Sequence, residues 1–321
     1  MEISASNVDS LFNECCWRLH ASGIEEGSRN GPVRTITEPV VLKLTNPVYR
    51  VMFNGIRDCN PFFHVAETVW MFSGYDRVHF VERFNKGYSQ YAEPDGRVHG
   101  AYGKRWLSYF GVDQIQGVIN ILNSNPFTRQ AVINMWDPNQ DLQYEDAWRD
   151  RPCNTQVMFR ENGSGLDMTI INRSNDLIWG ALGANVVHFS YLHELIAAHT
   201  GSFLGSYRVV TNNLHVYKNM PRFQEIFESG LRRPVEDPKG DPYPLVYSGE
   251  TWSMLHADCV DAIDYVLDGV PWMPRTMWMS GVALPMMNAY IDKEHRGEHV
   301  LNIRDDLWRR ACIQWMKRRE V

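Results

Sequence analysis

The sequence predicts an α+β fold in a single domain that spans residues 1–321, and three observations predict it. Segments with helical and with strand-like patterns alternate along the chain. The 321 residues are 44% hydrophobic and 22% charged, a composition that allows one sizeable core. A segment rich in proline and glycine, residues 233–249, has the same alternation on both sides, so we expect a long surface loop there rather than a linker between domains.

Six segments have the spacing of helices. In residues 61–74 apolar side chains recur every three or four positions, and Gly74 stands where a helix would end. A carboxylate within an apolar helix face is costly, so Glu67 in this run indicates a function; the alternative is that it faces solvent at the edge of the stripe. The other expected helices are residues 5–21, 112–126, 185–201, 220–230 and 305–320.

Four segments have the composition of strands. Residues 33–47 mix β-branched residues with prolines, as a strand and a turn do, and residues 129–136 and 207–217 are also strand-like. Residues 154–172 form two strand-like runs around Asn-Gly-Ser-Gly, which predicts a β-hairpin. Strands and helices are therefore interspersed.

Charge and composition exclude several classes of protein. The chain has 32 basic and 38 acidic residues, a formal net charge of -6, which is not the electrostatic footprint of a nucleic-acid-binding protein. No segment approaches the roughly 20 apolar residues of a membrane-spanning helix, and the N-terminus lacks the pattern of a signal peptide. The six cysteines show no disulfide framework, which indicates reduced thiols in the cytoplasm.

No metal-binding or phosphate-loop motif is recognisable. Cys15 and Cys16 are adjacent and lack the spacing of a zinc site. His188, His193 and His199 are five and six residues apart, so they do not share a helix face as metal ligands would. We therefore expect these histidines to be structural or surface residues and expect no metal.

Cys153 is the candidate nucleophile. It follows a proline, precedes a predicted strand, and has Arg149 and Arg151 before it. Guanidinium groups close to a thiol lower its pKa and raise the fraction of nucleophilic thiolate. The alternative is that Cys153 packs as a small apolar side chain, as we expect of the other five cysteines.

The residues around Cys153 resemble a known family. The segments RPCNTQVMF (151–159), RSND (173–176) and GALGANVVHFSYL (180–192) resemble the catalytic block of thymidylate synthases, where Pro-Cys-His is followed by Arg-Ser-x-Asp and by Gly-x-x-x-Asn. The resemblance covers about residues 20–225, and the last hundred residues match poorly. Further blocks occur in the family's order: AETVWMFSGYD (66–76), GAYGKRW (100–106), NPFTRQAVINMWDP (125–138) and NNLHVY (212–217).

The resemblance implies a reaction and the catalytic residues for it. The family transfers a one-carbon unit from 5,10-methylenetetrahydrofolate to C5 of a pyrimidine nucleoside 5′-monophosphate. By resemblance, Cys153 is the nucleophile that adds to C6, and Asn185 reads the base edge. Glu67 would organise water and protons. Tyr102 matches the tyrosine that helps to remove the C5 proton, although it would suit the core equally well.

The resemblance also implies binding residues and an assembly. Arg173 and Ser174 match the phosphate site, Arg29 is our candidate from the N-terminal loop, and Arg34 is its rival. Arg129 would reach the phosphate of the partner subunit. The expected architecture is thus a mixed sheet covered by helices, with one sheet face at the interface of an obligate homodimer. The remaining expected contacts are His215 and Tyr217 with the ribose, and Asp176, Trp179, Gly180, Tyr88 and Tyr91 with the folate.

Departures from the family pattern bear on the product. Tyr88 and Tyr91 stand where the family has two tryptophans that help to enclose the exocyclic methylene intermediate. Asn154 replaces the histidine after the nucleophile, Gln130 replaces a second arginine, and residues 313–321 lack the apolar, proline-containing tail that seals the site. A more polar wall would let water add to the methylene. We therefore favour hydroxymethylation, with thymidylate synthesis as the alternative.

The sequence leaves the substrate partly open. The amide of Asn185 suits the edge of uracil, which favours dUMP, but one extra residue between Arg173 and Asn185 leaves CMP and dCMP open. A non-catalytic nucleotide- or RNA-binding homologue is a further alternative, although such a protein has no need of both Cys153 and Glu67. The pathway could be viral DNA modification, in a host cytoplasm, or nucleoside antibiotic synthesis.

Overall fold

The computed structural model describes residues 1–144, 147–231 and 237–319, and in them two mixed β-sheets are covered by helices. One hydrophobic core extends from Ile3 to Trp315. The α+β prediction is confirmed. The larger sheet has the strand order β1 (Glu2–Ala5), β4 (Val40–Leu44), β9 (Leu204–Thr211), β7 (Leu166–Asn172), β6 (Asn154–Glu161) and β5 (Val132–Asn134). The smaller sheet has the order β2 (Ile24–Ser28), β3 (Gly31–Ile36), β10 (Leu214–Tyr217) and β8 (Asn175–Asp176).

The helices of the described residues include the six that the sequence predicts. The stretch 252–301 contains three more, for which the apolar pattern gave no prediction. None of the described helices is long and apolar enough to cross a membrane. The helices are α1 (Val8–Ser22), α2 (Pro61–Ser73), α3 (Tyr102–Lys104), α4 (Gln114–Ser124), α5 (Pro138–Asp141), α6 (Asn185–His199), α7 (Phe223–Gly230), α8 (Trp252–Asp268), α9 (Leu284–Ile291), α10 (Arg296–Leu301) and α11 (Asp306–Lys317).

Two predicted boundaries shift for physical reasons. Helix α1 begins at Val8 rather than at residue 5, because β1 pairs with β4 and the side chain of Asn7 then caps the helix by accepting from the Ser10 amide. The strand predicted over 207–217 is two strands, and they belong to different sheets. Asn213, between them, accepts a hydrogen bond from the Thr211 hydroxyl through its carbonyl.

The central helix α2 lies where the sequence predicts a helix with one buried face, but it is buried nearly all round. The side chain of Asn60 caps its N-terminus, Pro61 occupies the first turn, and Gly74 ends it in the left-handed conformation with φ 70°. The helix packs against α6, α8 and α9. A helix without a solvent face carries Glu67 into the interior of the protein.

The hairpin β6–β7 carries the site residues at its open end. The register shifts between Asn154 and Gln156, so the strand is irregular next to Cys153. One face of the larger sheet is buried under helices, whereas the other face is half-exposed and carries Met158, Thr169 and Val210. The half-exposed face is the one that a partner subunit would cover in the expected homodimer.

The predicted surface loop lies only partly within the described residues. Residues 233–236 lie outside them, and residues 237–251 contain no helix or strand. The last two residues of the C-terminal segment 313–321 also lie outside, and α11 ends before them at Lys317.

Candidate active site

Cys153 lies directly before β6, close to several buried polar side chains. It is half-buried, whereas the other five cysteines are buried. The amide groups of Cys153 and Asn154 both donate to the hydroxyl of Tyr102, at 3.2 and 3.3 Å, and the Cys153 carbonyl accepts from the amide of Arg173 at 2.9 Å. The main chain of the nucleophile candidate is thus held from two sides.

A close approach of two backbones places Tyr102 there. A Cβ at Gly103 would lie 2.0 Å from the carbonyl oxygen of Met71, so only glycine lets α3 pack against α2. The ring of Tyr102 contacts Phe189 on α6, with centroids 5.5 Å apart, and burial raises the pKa of its hydroxyl. The phenol therefore remains protonated at neutral pH.

The electrostatic environment of Cys153 differs from the prediction. Burial raises the pKa of the thiol, and the positive charges of Arg173 and Arg29 only partly offset it. The charges of Asp150 and Asp176 raise it further. The expectation of a thiol pKa lowered by its neighbours is therefore wrong for the protein without substrate, because desolvation outweighs the guanidinium groups.

The two arginines that flank Cys153 in sequence have other partners. Arg149 donates to the carbonyl of Ala92 at 2.8 Å, and Arg151 donates to the carbonyl of Gln143 at 3.1 Å. The guanidinium group that acts on Cys153 most strongly belongs to Arg173, because the hairpin returns it to the start of β6. The arginine that acts on Cys153 is therefore a neighbour in the sheet and not a neighbour in the sequence.

Glu67 is buried, so the alternative of a solvent-facing position is wrong. Its exposed fraction is 3%. Its Oε1 accepts a hydrogen bond from the hydroxyl of Tyr88 at 3.0 Å, and its Oε2 lies 3.4 Å from Nδ1 of His188. Tyr88 packs against Trp70 of α2 with ring centroids 5.7 Å apart, so the loop that carries it lies directly on the helix of Glu67.

His188 is a neighbour of this site that the sequence reasoning missed. We expected it to be structural or at the surface, but it is buried beside Glu67. The helical period contained the signal, because His188 follows Asn185 by three residues and therefore shares its face of α6.

Asp150 was also missed. It precedes Cys153 by three residues, in a stretch that attracts attention for its arginines. Its carboxylate lies against Gly100, where an added Cβ would meet Oδ2 at 2.3 Å. Burial raises the pKa of Asp150, and the charges of His99 and Arg173 oppose this rise.

The π-helical segment Leu177–Ala184 positions the next group of residues. Its N-terminus is capped by Asp176, whose Oδ2 accepts from the Trp179 amide at 2.6 Å, and burial raises the pKa of that carboxyl. The Trp179 side chain is 55% exposed, and the guanidinium of Arg57 lies 5.3 Å from its ring. Gly180 lies close to Asn185, since an added Cβ would be 3.5 Å from Nδ2. Arg57 had no signal in the sequence pattern.

Strand β10 brings the expected ribose residues to the same edge. His215 pairs in register with Asp176, and its Nδ1 lies 2.7 Å from Oδ1 of Asn213. Tyr217 contacts the His215 ring at a centroid distance of 5.0 Å, and Nδ2 of Asn30 lies 3.5 Å from its hydroxyl. The loop that carries Asn30 therefore reaches this edge of the smaller sheet.

The structure separates the two rival arginines. Arg34 donates to the carbonyls of Leu19 and His20 at 2.6 and 2.8 Å, at the C-terminus of α1. Arg29 is close enough for its charge to act on the Cys153 thiol. Arg34 is thus engaged at the end of α1, and Arg29 stays our candidate for the phosphate site.

Other expected binding residues lie at the rim. Arg173 borders a cleft of about 500 Å³, which is also lined by Trp136 and Gln156. Ser174 is half-buried in the turn between β7 and β8. Arg129 is exposed, on the segment before β5. An exposed position is what we expect of a residue that reaches into a partner subunit. Its role stays a prediction.

Tyr91 lies over the mouth of the site. Its ring is 5.6 Å from that of Tyr88 and is partly exposed. Burial raises the pKa of Tyr91, and the charges of Asp150, Asp176 and Cys153 contribute. The two loop tyrosines thus face the group of ionisable residues.

Several buried polar atoms of the site lack a hydrogen-bond partner. Folded proteins rarely leave such atoms unpaired, so these atoms are candidates for contact with a bound molecule. Their donor and acceptor types, carboxylate and amide oxygens with an amide nitrogen, suit the edges of a pyrimidine and of a pterin. Among the described residues, no group of three or more His, Cys, Asp or Glu side chains could hold a metal ion. The unpaired atoms are Oε2 of Glu67, Oδ1 of Asp176, Oδ1 of Asn175, Nδ2 of Asn154 and both ring nitrogens of His188.

Comparison with known proteins places this site in a family. The thymidylate synthase family profile matches residues 14–239. The chain is 36% identical over 342 residues to a deoxyuridylate hydroxymethyltransferase of Pseudomonas phage M6, covering 99% of this chain and 94% of the relative. It is 37% identical over 224 residues to the enzyme of the same name from Bacillus phage SP01, covering 67% and 58%. A thymidylate synthase of Mycoplasma pneumoniae is 29% identical over 194 residues, covering 60% and 63%. The chain belongs to the thymidylate synthase family, whose members transfer one-carbon units from methylenetetrahydrofolate to pyrimidine nucleotides.

Proposed function

We propose that this protein transfers a one-carbon unit from 5,10-methylenetetrahydrofolate to C5 of dUMP and releases 5-hydroxymethyl-dUMP. The observation that carries the choice of product is the hydroxyl of Tyr88, which donates to Glu67 at 3.0 Å where an indole is expected in a thymidylate synthase. Two phage relatives named as deoxyuridylate hydroxymethyltransferases support the same product and uracil as the base.

The side chains around Cys153 suit each step of this reaction. The thiolate of Cys153 adds to C6, which makes C5 nucleophilic towards the methylene carbon of the folate. The C5 proton leaves to a base, helped by Tyr102, and the C–N bond to tetrahydrofolate breaks to leave an exocyclic methylene group. Water held near Glu67 then adds to that group, and Cys153 is released. Carbon is neither oxidised nor reduced, so tetrahydrofolate is the second product.

The positions of the side chains support the following binding roles. Asn185 would read the uracil edge, with its amide donating to O4 and accepting from N3–H. Arg173 and Arg29 would hold the phosphate through charge-assisted hydrogen bonds. The exposed ring of Trp179, beside the unpaired Oδ1 of Asp176, is our candidate surface for the pterin ring.

We infer that the active form is a homodimer. The half-exposed face of the larger sheet and the exposed position of Arg129 support it, because Arg129 could then enter the phosphate site of the partner subunit. Like its phage relatives, the protein would act in the cytoplasm of an infected host. Arg129→Gln should raise the KM for the nucleotide. In mixed dimers of Arg129→Gln with Cys153→Ala, one of the two sites combines an intact Cys153 with an intact Arg129, so mixing the two variants should restore activity.

Mass analysis of the products tests the proposal. Incubation with methylenetetrahydrofolate and each of dUMP, dCMP, UMP and CMP should yield hydroxymethylated product from dUMP, with tetrahydrofolate. Formation of dihydrofolate and a methylated base would show that the enzyme is a thymidylate synthase. Preferred turnover of a cytosine nucleotide would overturn the base assignment. Cys153→Ala is the control: it should bind dUMP but lose turnover, and retained turnover would contradict covalent catalysis.

A further inference from the structure

A buried histidine lies directly beneath the proposed water-binding carboxylate. The His188 side chain is 1% exposed, and neither of its ring nitrogens has a hydrogen-bond partner. Its Nδ1 is 3.4 Å from Oε2 of Glu67, which is itself an acceptor without a hydrogen bond. A donor and an acceptor, both unpaired, thus face each other slightly beyond hydrogen-bond length.

The rest of the surroundings gives His188 no other role. Its ring contacts Phe189 at 4.8 Å, Tyr102 at 6.0 Å and Trp106 at 6.2 Å between centroids. Such a pocket would accept an apolar side chain without the cost of burying two unpaired nitrogens. Of the nearby titratable groups, His64 is buried, and burial lowers its pKa to about 3, so it is neutral at neutral pH.

We propose that His188 is a positioning residue that donates a hydrogen bond from Nδ1 to Oε2 of Glu67 once the nucleotide is bound. With Tyr88 donating to Oε1, the carboxylate is then held by two donors from within the protein. The remaining lone pairs of the carboxylate are then free to bind the water molecule that adds to the methylene group and to accept protons during the reaction. This inference deepens the proposed function and rests on it.

The tautomer follows from the same geometry. A carboxylate oxygen can only accept a hydrogen bond, so in a neutral imidazole that donates to it the proton lies on Nδ1 and Nε2 is the unprotonated nitrogen. Nε2 has no hydrogen-bond partner in the structure, and the rings of Tyr102 and Trp106 lie 6.0 and 6.2 Å from the imidazole between centroids. Bound enzyme should therefore contain His188 as the Nδ1–H tautomer.

Two substitutions separate positioning from packing. His188→Leu keeps an apolar filling and removes the donor, so kcat should fall about 10- to 100-fold while the KM for dUMP changes less than about twofold. His188→Asn places an amide nitrogen at the position of Nδ1 and should restore most of the lost kcat. Equal losses in both variants, or wild-type kcat in His188→Leu, would overturn the inference.

His193 provides the matched control on the same helix. It is fully buried, but its Nε2 lies 2.6 Å from the carbonyl oxygen of Leu166, away from Glu67. His193→Leu should lower thermal stability and leave kcat and its pH profile unchanged. His188→Leu should instead lower kcat, because the carboxylate of Glu67 loses a hydrogen-bond donor.

A spectroscopic test does not depend on the variants folding. In ¹⁵N spectra of the wild-type protein with dUMP, Nδ1 of His188 should be protonated and Nε2 unprotonated, with the reverse pattern or an imidazolium contradicting the inference. If the wild-type enzyme turns over none of the four nucleotides, the proposed function fails; if it is active and only the His188 results deviate, this inference fails alone.

Discussion

Among the described residues, the buried ionic side chains around Asp141 and those around Glu67 differ in how completely they are hydrogen-bonded. Around Asp141, Oδ1 accepts from Nη2 of Arg105 at 3.0 Å and lies 2.7 Å from Nε2 of His99. Its Oδ2 accepts from Nη1 of Arg105 at 2.6 Å and from the Asp137 amide at 2.8 Å. Around Glu67, one oxygen has a partner and the other has none.

The difference separates a structural cluster from a functional one. Arg105 is fully buried and also donates to the carbonyl of Met135, and the His99 ring stacks on Trp148 with centroids 4.0 Å apart. Every strong donor and acceptor there is used within the fold, which rigidifies it. The cluster around Glu67 contains acceptors without a hydrogen-bond partner. Such acceptors lower the stability of the fold and can bind a ligand.

Among the substitutions in the two clusters, Glu67→Gln should have the largest effect on catalysis. We expect kcat for dUMP to fall by roughly 10²- to 10⁴-fold, because a carboxylate that moves protons and orients water is removed. Thermal stability should stay equal or rise, since a neutral amide costs less to bury than a carboxylate with an unpaired oxygen. Steady-state kinetics and thermal unfolding measure both. A stability loss that accompanies full activity would assign Glu67 to the structural class.

Asp141→Asn should do the opposite. Removing one partner of a buried pair leaves the guanidinium of Arg105 without its counter-charge, so the free energy of unfolding should fall by about 3–5 kcal/mol. Denaturant unfolding measures it. Activity per folded molecule should remain within a few-fold of wild type at low temperature. A loss below about 1 kcal/mol would show that the cluster does not stabilise the fold.

The difference in the free energy of unfolding between wild type and Asp141→Asn should depend on pH. Burial alone would raise the pKa of Asp141, but hydrogen bonds from His99 and Arg105 outweigh it and lower the pKa to about 2. Since the folded-state pKa lies below the unfolded value near 3.8, the contribution to stability is complete above about pH 4 and is lost as the pH falls through about 2. Wild type and Asp141→Asn should therefore converge in acid. A gap that stays constant to pH 2 would contradict the assignment.

Tyr88→Phe removes the single hydrogen bond that Glu67 has in the structure. The ring contacts with Trp70 and Tyr91 remain, so folding should be little affected. We expect kcat to fall about 10-fold, the effect of one hydrogen bond to a charged group. Product analysis adds a second measurement: a wall without the hydroxyl should yield a larger share of methylated product. An unchanged rate and product would remove Tyr88 from the site.

The smallest expected effect concerns the thiol itself. The charge of Asp150 raises the pKa of Cys153, whereas that of Arg173 lowers it. Asp150→Asn should therefore shift the alkylation of Cys153 by iodoacetamide to lower pH, and Arg173→Gln should shift it to higher pH, each changing the neutral-pH rate several-fold. Shifts of the same sign in both variants would contradict this arrangement. The other five cysteines are buried, so the reaction reports on Cys153.

Much of the fold was predictable because local patterns carried it. The run at 61–74, with Asn60 before it and Gly74 after it, contains its own start and stop signals, and the hairpin at 154–172 contains its own turn. The division of 207–217 between two sheets was not predictable. A strand pattern states which side chains alternate, but not which neighbour the strand pairs with.

The site divides in the same way. The family resemblance named Cys153, Glu67 and Asn185, since their spacing within short motifs is visible in one dimension. Arg57 and Asp150 had no motif, and they join the site only through contacts between distant segments. The direction of the Cys153 pKa was wrong for the same reason, because burial is a property of the whole packed chain.

The sequence by itself determined the fold class, the family and the identity of the nucleophile candidate, because these depend on residue types and on their spacing along the chain. Only the tertiary structure showed that Arg34 donates to carbonyls at the end of α1, that Arg105 pairs with Asp141 in the interior, and that His188 lies 3.4 Å from the carboxylate of Glu67. Hydrogen bonding and desolvation act over a few ångströms in space, and a linear sequence does not record those distances.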